Sequence, residues 1–460
     1  MSLHSERLDK ELSALQGSEA RARLQGLFDD GVYTELDRFA KSGDGVSEVV
    51  AAFGSVQGCP CYAFAQDRSV SAGAMGREQA AKIRRVYQLA EKTGYPVVGI
   101  YDSNGAHLDE GLGALEAYAE LIQLSNRLSG VVPQIAVIAG TCAGSAAVHA
   151  LCADVVVMAE TAELFVHSAQ LVGDRSGKIG TAAAAAASGT AHLCAADVPA
   201  ALTAARELVG LLPANNLSAA AAVEYAPAAA AAAEGMDPAA LIAALADADS
   251  ALALLEGFGN SAKTVLARIG GLTAGIAAVG GRLSGDDCRK LAYFVRLCDA
   301  FSIPVVTLMD TEGYAETAEE EAAGQVKDAA LLTQVYAEAT TAKITVVTGK
   351  AYGPAFITFA GKAACADAVF AWSGAVISAL RPETAVSILY NEKILAGEDR
   401  QALMAAYEAD EASAFAAAAA GYIDDVIAPE DTFARVMSAL DMLASKRVST
   451  LDKKHTTIAF

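Results

Sequence analysis

Two stretches of this chain repeat the same order of hydrophobic patterns. Residues 80–96 and 288–304 each place apolar side chains at the three- and four-residue spacing of an amphipathic helix. Each is followed by a β-branched run that ends at an aspartate, Asp102 or Asp310, and then by a loop, a second helical pattern and a second apolar run. Strands that alternate with helices in this way predict a mostly parallel sheet in each half.

The two halves also agree residue by residue. Pro96–Asp102 reads PVVGIYD and Pro304–Asp310 reads PVVTLMD, at an offset of 208 residues. Ile135–Gly144 corresponds to Ile344–Gly353 at an offset of 209. Any two strand–helix–strand units share some composition, but the matching glycine and aspartate positions disfavour a chance likeness. We therefore predict two homologous domains.

Length and pattern together place these domains. A chain of 460 residues exceeds the size at which one core stops growing, so we predict an N-terminal domain at residues 1–250 and a C-terminal domain at residues 251–460. The alanine-rich segment 181–257 is expected to hold surface helices and the connection between the domains. The apolar stretch 131–159 contains Pro133 and Asp154, so it is predicted as two strands separated by a helix rather than as a membrane span.

Composition narrows the function classes. Hydrophobic residues make up 53% and charged residues 19%, which is typical of a well-buried globular protein. The net charge of −21 disfavours nucleic-acid binding, because that binding depends on Lys and Arg at phosphates. The eight cysteines lack the spacing of zinc ligands, and no metal site is predicted. The N-terminus shows neither a secretory signal nor an anchor pattern, so we expect a cytoplasmic protein.

Small residues are concentrated in four loops that follow predicted strand ends. The loops lie at residues 102–107 and 139–145 in the first half and at 310–314 and 348–355 in the second. Small residues let backbone N–H groups approach a ligand closely, and preorganised N–H groups stabilise the negative charge of a forming enolate. One glycine-rich loop alone is more often only a tight turn. Four loops in repeated register favour a site for enolate chemistry.

Other side chains near these loops are weaker candidates. Ser145 lacks the second glycine of a nucleophile elbow, and nothing in the sequence activates Cys142, which we predict to be a packed turn residue. His149 is predicted to be a buried, hydrogen-bonded histidine. Neither a Walker loop nor a G-x-G-x-x-G motif occurs, so direct use of ATP or a dinucleotide is not supported.

The same runs of sequence resemble a known family. PVVGIYDSNGAHLDEG and VVPQIAVIAGTCAGSAAVHALCADVVVM, and in the second half DAFSIPVVTLMDTEGY and AEATTAKITVVTGKAYGPAF, are similar to signatures of biotin-dependent acyl-CoA carboxyltransferases. That family includes propionyl-CoA carboxylase beta chains and the alpha subunits of methylmalonyl-CoA and glutaconyl-CoA decarboxylases. The resemblance implies an α/β fold of two tandem crotonase-like domains, each a ββα spiral. It also implies an oligomer, from a dimer up to a hexamer, with the active site between the N-domain of one subunit and the C-domain of another.

The resemblance implies site residues as well. On the acyl-CoA side, in the first domain, the thioester would lie against the backbone at Ala106, Gly144 and Ser145, beside Gly105 and His107. On the biotin side, in the second domain, the matching positions are Gly353, Ala355, Gly313, Tyr314, Pro354 and Ile357. The implied cofactor is biotin, and the implied substrate is a coenzyme A thioester. Because the chain has no Met-Lys-Met segment, biotin is expected on a separate biotin carboxyl carrier protein.

Four positions depart from the usual residues of the family or vary within it. His107 stands where the family commonly has an arginine near coenzyme A, and Glu312 adds an acid beside the pocket. Pro354 replaces a glycine and therefore lacks an N–H. Ile357 occupies a position where propionyl-type members tend to have an acid and acetyl-type members an aliphatic residue. The identity of the acyl group and the direction of carboxyl transfer therefore stay open.

Three functions are compatible with this sequence. The first is a carboxyltransferase subunit of a carboxylase or decarboxylase that acts on a malonyl-, methylmalonyl- or glutaconyl-type CoA. The second is a non-catalytic or specialised partner subunit of a mixed oligomer, which Pro354 and His107 motivate. The third is a biotin-independent acyl-CoA decarboxylase or hydrolase that uses the first domain alone. Carboxyl exchange with biotin would distinguish the first function from the other two.

Overall fold

The computed structural model describes residues 3–15, 17–42, 45–47 and 49–457. The chain divides into two compact units, unit 1 at Met1–Ala221 and unit 2 at Ala222–Phe460. The helices of unit 1 are α1 (Leu3–Ser13), α2 (Glu19–Leu27), α3 (Arg77–Thr93), α4 (Leu112–Leu128), α5 (Ser145–Ala150), α6 (Ala169–Val172), α7 (Ala182–Ala187) and α8 (Val198–Leu211). Its strands are β1 (Tyr33–Leu36), β2 (Lys41–Ser42), β3 (Gly45–Val46), β4 (Val49–Val56), β5 (Cys59–Gln66), β6 (Val97–Ser103), β7 (Gln134–Ala143), β8 (Val155–Ala159), β9 (Glu163–Phe165) and β10 (Leu193–Ala195).

Unit 2 has a corresponding set of elements. Its helices are α9 (Pro238–Leu245), α10 (Gly285–Ala300), α11 (Ala318–Ala323), α12 (Gln325–Glu338), α13 (Pro354–Ala360), α14 (Pro382–Leu389), α15 (Asn391–Leu395), α16 (Arg400–Asp410), α17 (Ala414–Ala419) and α18 (Thr432–Leu443). Its strands are β11 (Leu252–Leu254), β12 (Ala262–Ile269), β13 (Leu272–Leu283), β14 (Val305–Tyr314), β15 (Lys343–Tyr352), β16 (Ala368–Trp372), β17 (Val376–Ser378) and β18 (Asp425–Ile427).

The main sheets of the two units have the same strand order. The sheet of unit 1 runs β1-β4-β5-β6-β7-β8-β10, with β9 paired to β7, and the sheet of unit 2 runs β11-β12-β13-β14-β15-β16-β18, with β17 paired to β15. The first three strands of each order are antiparallel, and the others are parallel. The internal repeat predicted from the sequence is therefore present at the level of topology.

Local sequence explains where the helices before the central strands begin and end. Helix α10 starts at a capping box in which Ser284 and Asp287 satisfy each other's backbone N–H groups. Helix α3 ends at Gly94, whose φ of 70° is in the left-handed region that glycine adopts without strain. Each helix is followed within a few residues by the first central parallel strand, β6 or β14.

The boundary between the units lies earlier than predicted. The sequence pattern placed it at residues 250/251, whereas the two compact units meet at 221/222. The physical reason is α9, whose buried residues Leu241, Ile242 and Leu245 join the hydrophobic core of unit 2 together with Ile276 of β13. The alanine-rich region therefore contributes α7 and α8 to unit 1 and α9 to unit 2.

The apolar stretch 131–159 folds as predicted. It forms β7, the short helix α5 and β8, and every residue of β8 is buried. Within residues 3–15, 17–42, 45–47 and 49–457, no helix is both long enough and apolar enough to cross a membrane.

Candidate functional site

Each sheet has an irregularity where the predicted loops begin. The pairing of β6 with β7 and the pairing of β14 with β15 both shift register at an aspartate. Asp102 Oδ1 accepts a hydrogen bond from the Thr141 N–H at 3.2 Å, and Asp310 Oδ1 accepts one from the Lys350 N–H at 2.8 Å. The aspartate in each half therefore bonds the backbone of the neighbouring loop, which explains why it occurs at the same position in both.

Glycine is needed opposite each of these aspartates. A Cβ atom at Gly140 would lie 2.2 Å from Asp102 Oδ1, and a Cβ atom at Gly349 would lie 2.3 Å from Asp310 Oδ1. Both distances are far below van der Waals contact, so no other residue fits without a shift. These two glycines serve the register of the loops.

Gly144 and Gly353 turn the chain from a strand into a short helix. Their φ angles of 58° and 60° lie in the left-handed region. The Gly144 N–H donates to Phe165 O at 2.9 Å, and the Gly353 N–H donates to Ser378 O at 3.0 Å. The Gly144 and Gly353 N–H groups are therefore not open to a ligand in this structure, and the placement of the thioester at Gly144 and of biotin around Gly353 stays a prediction. Both N–H groups are already bonded to the following short strand.

Gly105 and Gly313 are bonded in a similar way. The Gly105 N–H donates to Ser103 Oγ at 3.1 Å, and the Gly313 N–H donates to Thr311 Oγ1 at 3.2 Å. A hydroxyl residue two positions earlier thus holds each loop in a tight turn. These glycines shape the loops, and their N–H groups are not available to a ligand.

Two of the predicted donors in unit 1 are unpaired. Among the described residues, neither Ala106 N–H nor Ser145 N–H has an acceptor. The Met75 N–H donates to Gly105 O and Met75 O accepts from the His107 N–H, so the Ala106 N–H faces away from Met75. Ala106 and Ser145 are both partly exposed. Unit 1 therefore presents two open donors where its central parallel strands end.

Unit 2 has a similar arrangement with one donor missing. Ala315 N–H donates to Leu283 O at 2.8 Å, which makes Tyr314 the counterpart of Ala106 and turns its N–H away from β13. Pro354 is the first residue of α13 and has no N–H to offer. The next residue, Ala355, is fully buried and its N–H has no acceptor in the described chain. This N–H lies in the first turn of α13, where backbone N–H groups have no partner within the helix, so the protein itself leaves it unpaired.

The donor-bearing loops of each unit touch one another. A Cβ atom at Gly105 would lie 3.0 Å from Ala143 O, and a Cβ atom at Gly313 would lie 3.4 Å from Tyr352 O. Ala106 directly follows Gly105, and Ser145 comes two residues after Ala143. The structure thus brings together, within each unit, residues that lie in separate loops of the sequence.

Charged side chains form a network beside the loops of unit 1. Asp102 Oδ2 is 2.7 Å from Arg23 Nη2, and Arg68, which is half exposed, lies 3.9 Å from Asp102 Oδ1 and hydrogen-bonds Thr141. Arg23 Nη2 is also 3.2 Å from Glu19 Oε2, so two carboxylates face two guanidinium groups. His107 Nδ1 is buried without a hydrogen-bond partner in the described chain.

Glu312 in unit 2 is neutralised by its neighbours. Its carboxylate is 2.8 Å from Lys350 Nζ and 3.2 Å from Arg282 Nε. The hydrogen bond from Lys350 is the main cause that lowers the pKa of Glu312, and the same bond raises the pKa of Lys350. The acid that departs from the family pattern therefore forms part of an ion-pair cluster and adds little net charge.

A cavity of about 550 Å³ lies beside α13 in unit 2. Its lining is largely apolar and includes Gly353, Pro354, Phe356, Ile357, Ile377 and Tyr422. The side chain of Ile357 is exposed, as is that of Tyr422. Pro354 and Ile357 thus both line this cavity.

The remaining candidates in unit 1 are buried and structural. His149 Nε2 is 3.0 Å from Tyr87 OH and its Nδ1 is 3.3 Å from Tyr101 OH, as expected for a buried, hydrogen-bonded histidine. Cys142 is fully buried, and burial raises the pKa of its thiol. No group of three or more His, Cys, Asp or Glu side chains in the described part of the chain is placed to hold a metal ion.

His149 gives the fold a pH dependence that a variant can isolate. Burial lowers the pKa of His149 from 6.5 to about 4, so between these values the unfolded chain binds a proton that the folded chain excludes. Stability therefore falls as the pH falls through this window, by roughly 2 kcal/mol from this group at pH 5. Chemical denaturation at pH 7 and pH 5 should show a larger loss for the natural chain than for His149→Gln. Equal losses in the two proteins would contradict this assignment.

Known proteins align with this chain over almost its whole length. A family model for the carboxyl transferase domain matches residues 17–458 of this chain. The chain belongs to this family. The methylmalonyl-CoA decarboxylase alpha subunit of Veillonella parvula is 34% identical over 95% of this chain and 92% of its own length. The methylmalonyl-CoA carboxyltransferase 12S subunit of Propionibacterium freudenreichii subsp. shermanii is 34% identical over 98% of this chain and 93% of its own length.

A solved structure supports membership of the carboxyl transferase family. The crystal structure of transcarboxylase 12S, a hexamer with methylmalonyl-coenzyme A and methylmalonic acid bound, matches with a TM-score of 0.90 and 32% identity over 99% of this chain and 95% of that one. The predicted family and the predicted α/β fold of two crotonase-like domains are confirmed. The relatives are acyl-CoA carboxyltransferase and decarboxylase subunits, which confirms the predicted enzyme class.

Sequence reasoning missed which N–H groups are open. Gly144, Gly353, Gly105 and Gly313 were expected at the site from the family resemblance, and the N–H of each is bonded within the protein. A signal was present for two of them, because Ser103 and Thr311 precede the loop glycines by two residues, the spacing of a hydroxyl turn. The partners of Gly144 and Gly353 lie more than twenty residues away and leave no local signal.

Proposed function

We propose that this chain moves a carboxyl group between an acyl-CoA thioester and biotin, with unit 1 holding the thioester and unit 2 holding biotin. The observation that carries the proposal is the repeated set of open N–H groups where the central strands end. In unit 1 these belong to Ala106 and Ser145, and in unit 2 the unpaired Ala355 N–H is accompanied by that of Tyr314. Membership of the carboxyl transferase family supports this interpretation.

The open N–H groups have a specific chemical task. Biotin, when bound, would exchange the carboxyl group with the acyl-CoA as carbon dioxide: carboxybiotin would release it and accept the α-proton at its ureido nitrogen while the acyl-CoA enolate takes up the carbon dioxide, or the reverse. Ala106 and Ser145 would donate to the thioester oxygen as it gains the negative charge of the enolate. Ala355 and Tyr314 would donate to the ureido oxygen of biotin. Donors of this kind are worth about 3 kcal/mol of barrier each.

The substrate is proposed to be a short-chain carboxylated acyl-CoA, of which methylmalonyl-CoA is the first to test. Support comes from the relatives, two of which are named for methylmalonyl-CoA. In unit 1, the half-exposed Arg68 beside Asp102 offers a guanidinium group to an anionic ligand.

Biotin is proposed to arrive on a separate carrier protein, since the chain has no Met-Lys-Met segment. We also propose that the chain acts as an oligomer, at least a dimer and up to a hexamer. Large apolar side chains near the unit 2 cavity are more than half exposed, at 55% for Ile357, 62% for Phe415 and 63% for Tyr422. Exposed apolar groups of this size are typical of protein interfaces.

Pro354 favours a second candidate function. The missing N–H at this position removes one donor from the proposed biotin side, as expected for a specialised subunit that pairs with an active homologue. A biotin-independent decarboxylase or hydrolase that uses only unit 1 would be compatible with the same loss.

Product analysis separates these functions. The purified chain is incubated with methylmalonyl-CoA or malonyl-CoA, with and without biocytin, and the acyl-CoA products are identified. The proposal predicts decarboxylated acyl-CoA only when biocytin is present. Product without biocytin would favour the biotin-independent enzyme, and no product in either mixture would favour the specialised subunit.

A further inference from the structure

A chain of three hydroxyl groups joins the elements that carry the donors of unit 2. Tyr314 OH is 2.9 Å from Thr358 Oγ1, and Thr358 Oγ1 is 2.6 Å from Thr333 Oγ1. Tyr314 ends β14, Thr358 is on α13 and Thr333 is on α12. Thr358 is fully buried, and the other two are partly buried. The chain thus connects one strand and two helices inside unit 2.

Hydrogen counting fixes the direction of this chain. Thr333 donates its one hydroxyl hydrogen to Ala329 O at 2.8 Å, so it must accept from Thr358. Thr358 has then used its own hydrogen and must accept from Tyr314. Each hydroxyl therefore donates once, and the chain runs from Tyr314 to Ala329 with no donor left over.

The chain lies close to the proposed biotin donors. Tyr314 carries its hydroxyl group and the N–H that corresponds to Ala106 on the same residue. Thr358 lies one helical turn after Ala355, whose N–H is unpaired. The bond between Tyr314 and Thr358 therefore links the strand end that carries one donor to the helix that carries the other. Gly353, with a φ of 60°, is the turn between β15 and α13, and the buried ring of Phe359 also packs α13 against Tyr336 of α12.

Unit 1 has a tie at the corresponding position, made from different side chains. His149 follows Gly144 by five residues, as Thr358 follows Gly353, and its ring bonds Tyr101 OH on β6 at 3.3 Å. The short helix in each unit is thus held by a buried polar side chain to the strand that contains the register-shift aspartate, β6 or β14. The two units use different residues for this hydrogen bond, so what they share is the bond between the short helix and the strand.

We infer that Tyr314, Thr358 and Thr333 position the two donors of unit 2. They are positioning residues, since their side chains act through the backbone N–H groups of Tyr314 and Ala355 rather than on the ligand. Fixed spacing matters most in unit 2, where Pro354 leaves fewer donors. Small displacements of donors lower rates strongly, because the stabilising groups no longer point at the developing charge. This inference rests on the proposed biotin site.

Conservative variants test the inference. Tyr314→Phe and Thr358→Val each remove one hydroxyl and keep the backbone N–H groups. Each is expected to lower kcat for carboxyl transfer about 10- to 100-fold with the KM for acyl-CoA unchanged. The double variant should be no worse than Thr358→Val alone, because that variant already removes the hydrogen bond that Tyr314→Phe removes. Thr358→Ser keeps the hydroxyl and should restore most of the rate.

A control removes a buried hydroxyl that joins β14 to α12 instead of α13. Tyr336 OH of α12 is 3.1 Å from Thr307 Oγ1 of β14. The ring of Tyr336 also packs on Phe359 of α13, and Tyr336→Phe keeps that ring. Tyr336→Phe should therefore leave kcat within about twofold. If Tyr314→Phe also stayed within twofold, or if Tyr336→Phe lost as much, the inference would be overturned.

A second readout does not depend on turnover. Amide hydrogen exchange over residues 354–360 should be faster in Tyr314→Phe than in the natural chain, and unchanged in Tyr336→Phe. Unchanged exchange in Tyr314→Phe would overturn the positioning role even if the chain were inactive. If the natural chain were inactive and exchange were still faster in Tyr314→Phe, the proposed function would be contradicted. The hydrogen bond between Tyr314 and Thr358 would still be shown to hold α13.

Discussion

Replacing Ser145 with proline is expected to lower the rate of carboxyl transfer about 100- to 1,000-fold. The substitution removes one of the two open N–H groups of unit 1, and that N–H has no acceptor in the described protein, so no internal hydrogen bond is lost. Proline is well tolerated at the first position of a helix. Unit 2 shows that this backbone accepts it, because Pro354 follows Gly353 there with nearly the same φ as Gly144.

Ser145→Ala is the matched control. Alanine keeps the N–H and removes only the hydroxyl, so the steady-state rate should stay within about threefold of the natural chain. Circular dichroism of both variants checks that unit 1 remains folded. A Ser145→Pro protein that is folded and fully active would show that this N–H does not hold the thioester oxygen.

Replacing Pro354 with alanine is expected to raise the rate of carboxyl transfer to or from biocytin at least tenfold. The change restores an N–H at the first position of α13, where unit 1 has the N–H of Ser145. Removal of one such donor lowers kcat about 100- to 1,000-fold in other enzymes, so restoring a donor could raise the rate by up to the same factor. Steady-state kinetics with biocytin as the varied substrate measure the gain, and stability should fall by only about 0.4–1 kcal/mol.

Pro238→Ala provides the comparison for this gain. Pro238 also begins a helix of unit 2, α9, and does not line the cavity beside α13. Its replacement should cost similar stability without raising the rate. A Pro354→Ala protein no faster than Pro238→Ala would mean that the missing N–H does not limit the reaction and that Ala355 and Tyr314 suffice.

Much of the fold could be predicted because the sequence contains two similar halves. The paired runs that end at Asp102 and Asp310 are enough to reveal two homologous units from the sequence alone. The reason for those aspartates could not be seen there, since each accepts a backbone N–H from a loop about forty residues later. The boundary was misplaced because α9 is alanine-rich like the segment before it, and only its packing on β13 assigns it to unit 2.

The sequence predicted which loops carry the candidate site but not which of their backbone N–H groups are unpaired. Glycine was a sound guide to where the chain turns, as Gly144 and Gly353 show. Whether an N–H is open depends on its partner, and Phe165 and Ser378 are too distant in sequence to be foreseen. The same limit applies to Glu312, whose charge is cancelled by side chains that reach it from other strands.

The most direct test of the proposed carboxyl transfer follows one labelled carboxyl group. The purified chain is mixed with methylmalonyl-CoA labelled in its free carboxyl group and with biocytin, and labelled carboxybiocytin is measured over time. The account predicts that label appears in carboxybiocytin and that Ser145→Pro lowers its rate of appearance at least a hundredfold. A natural chain that releases label as carbon dioxide without any transfer to biocytin would contradict the account.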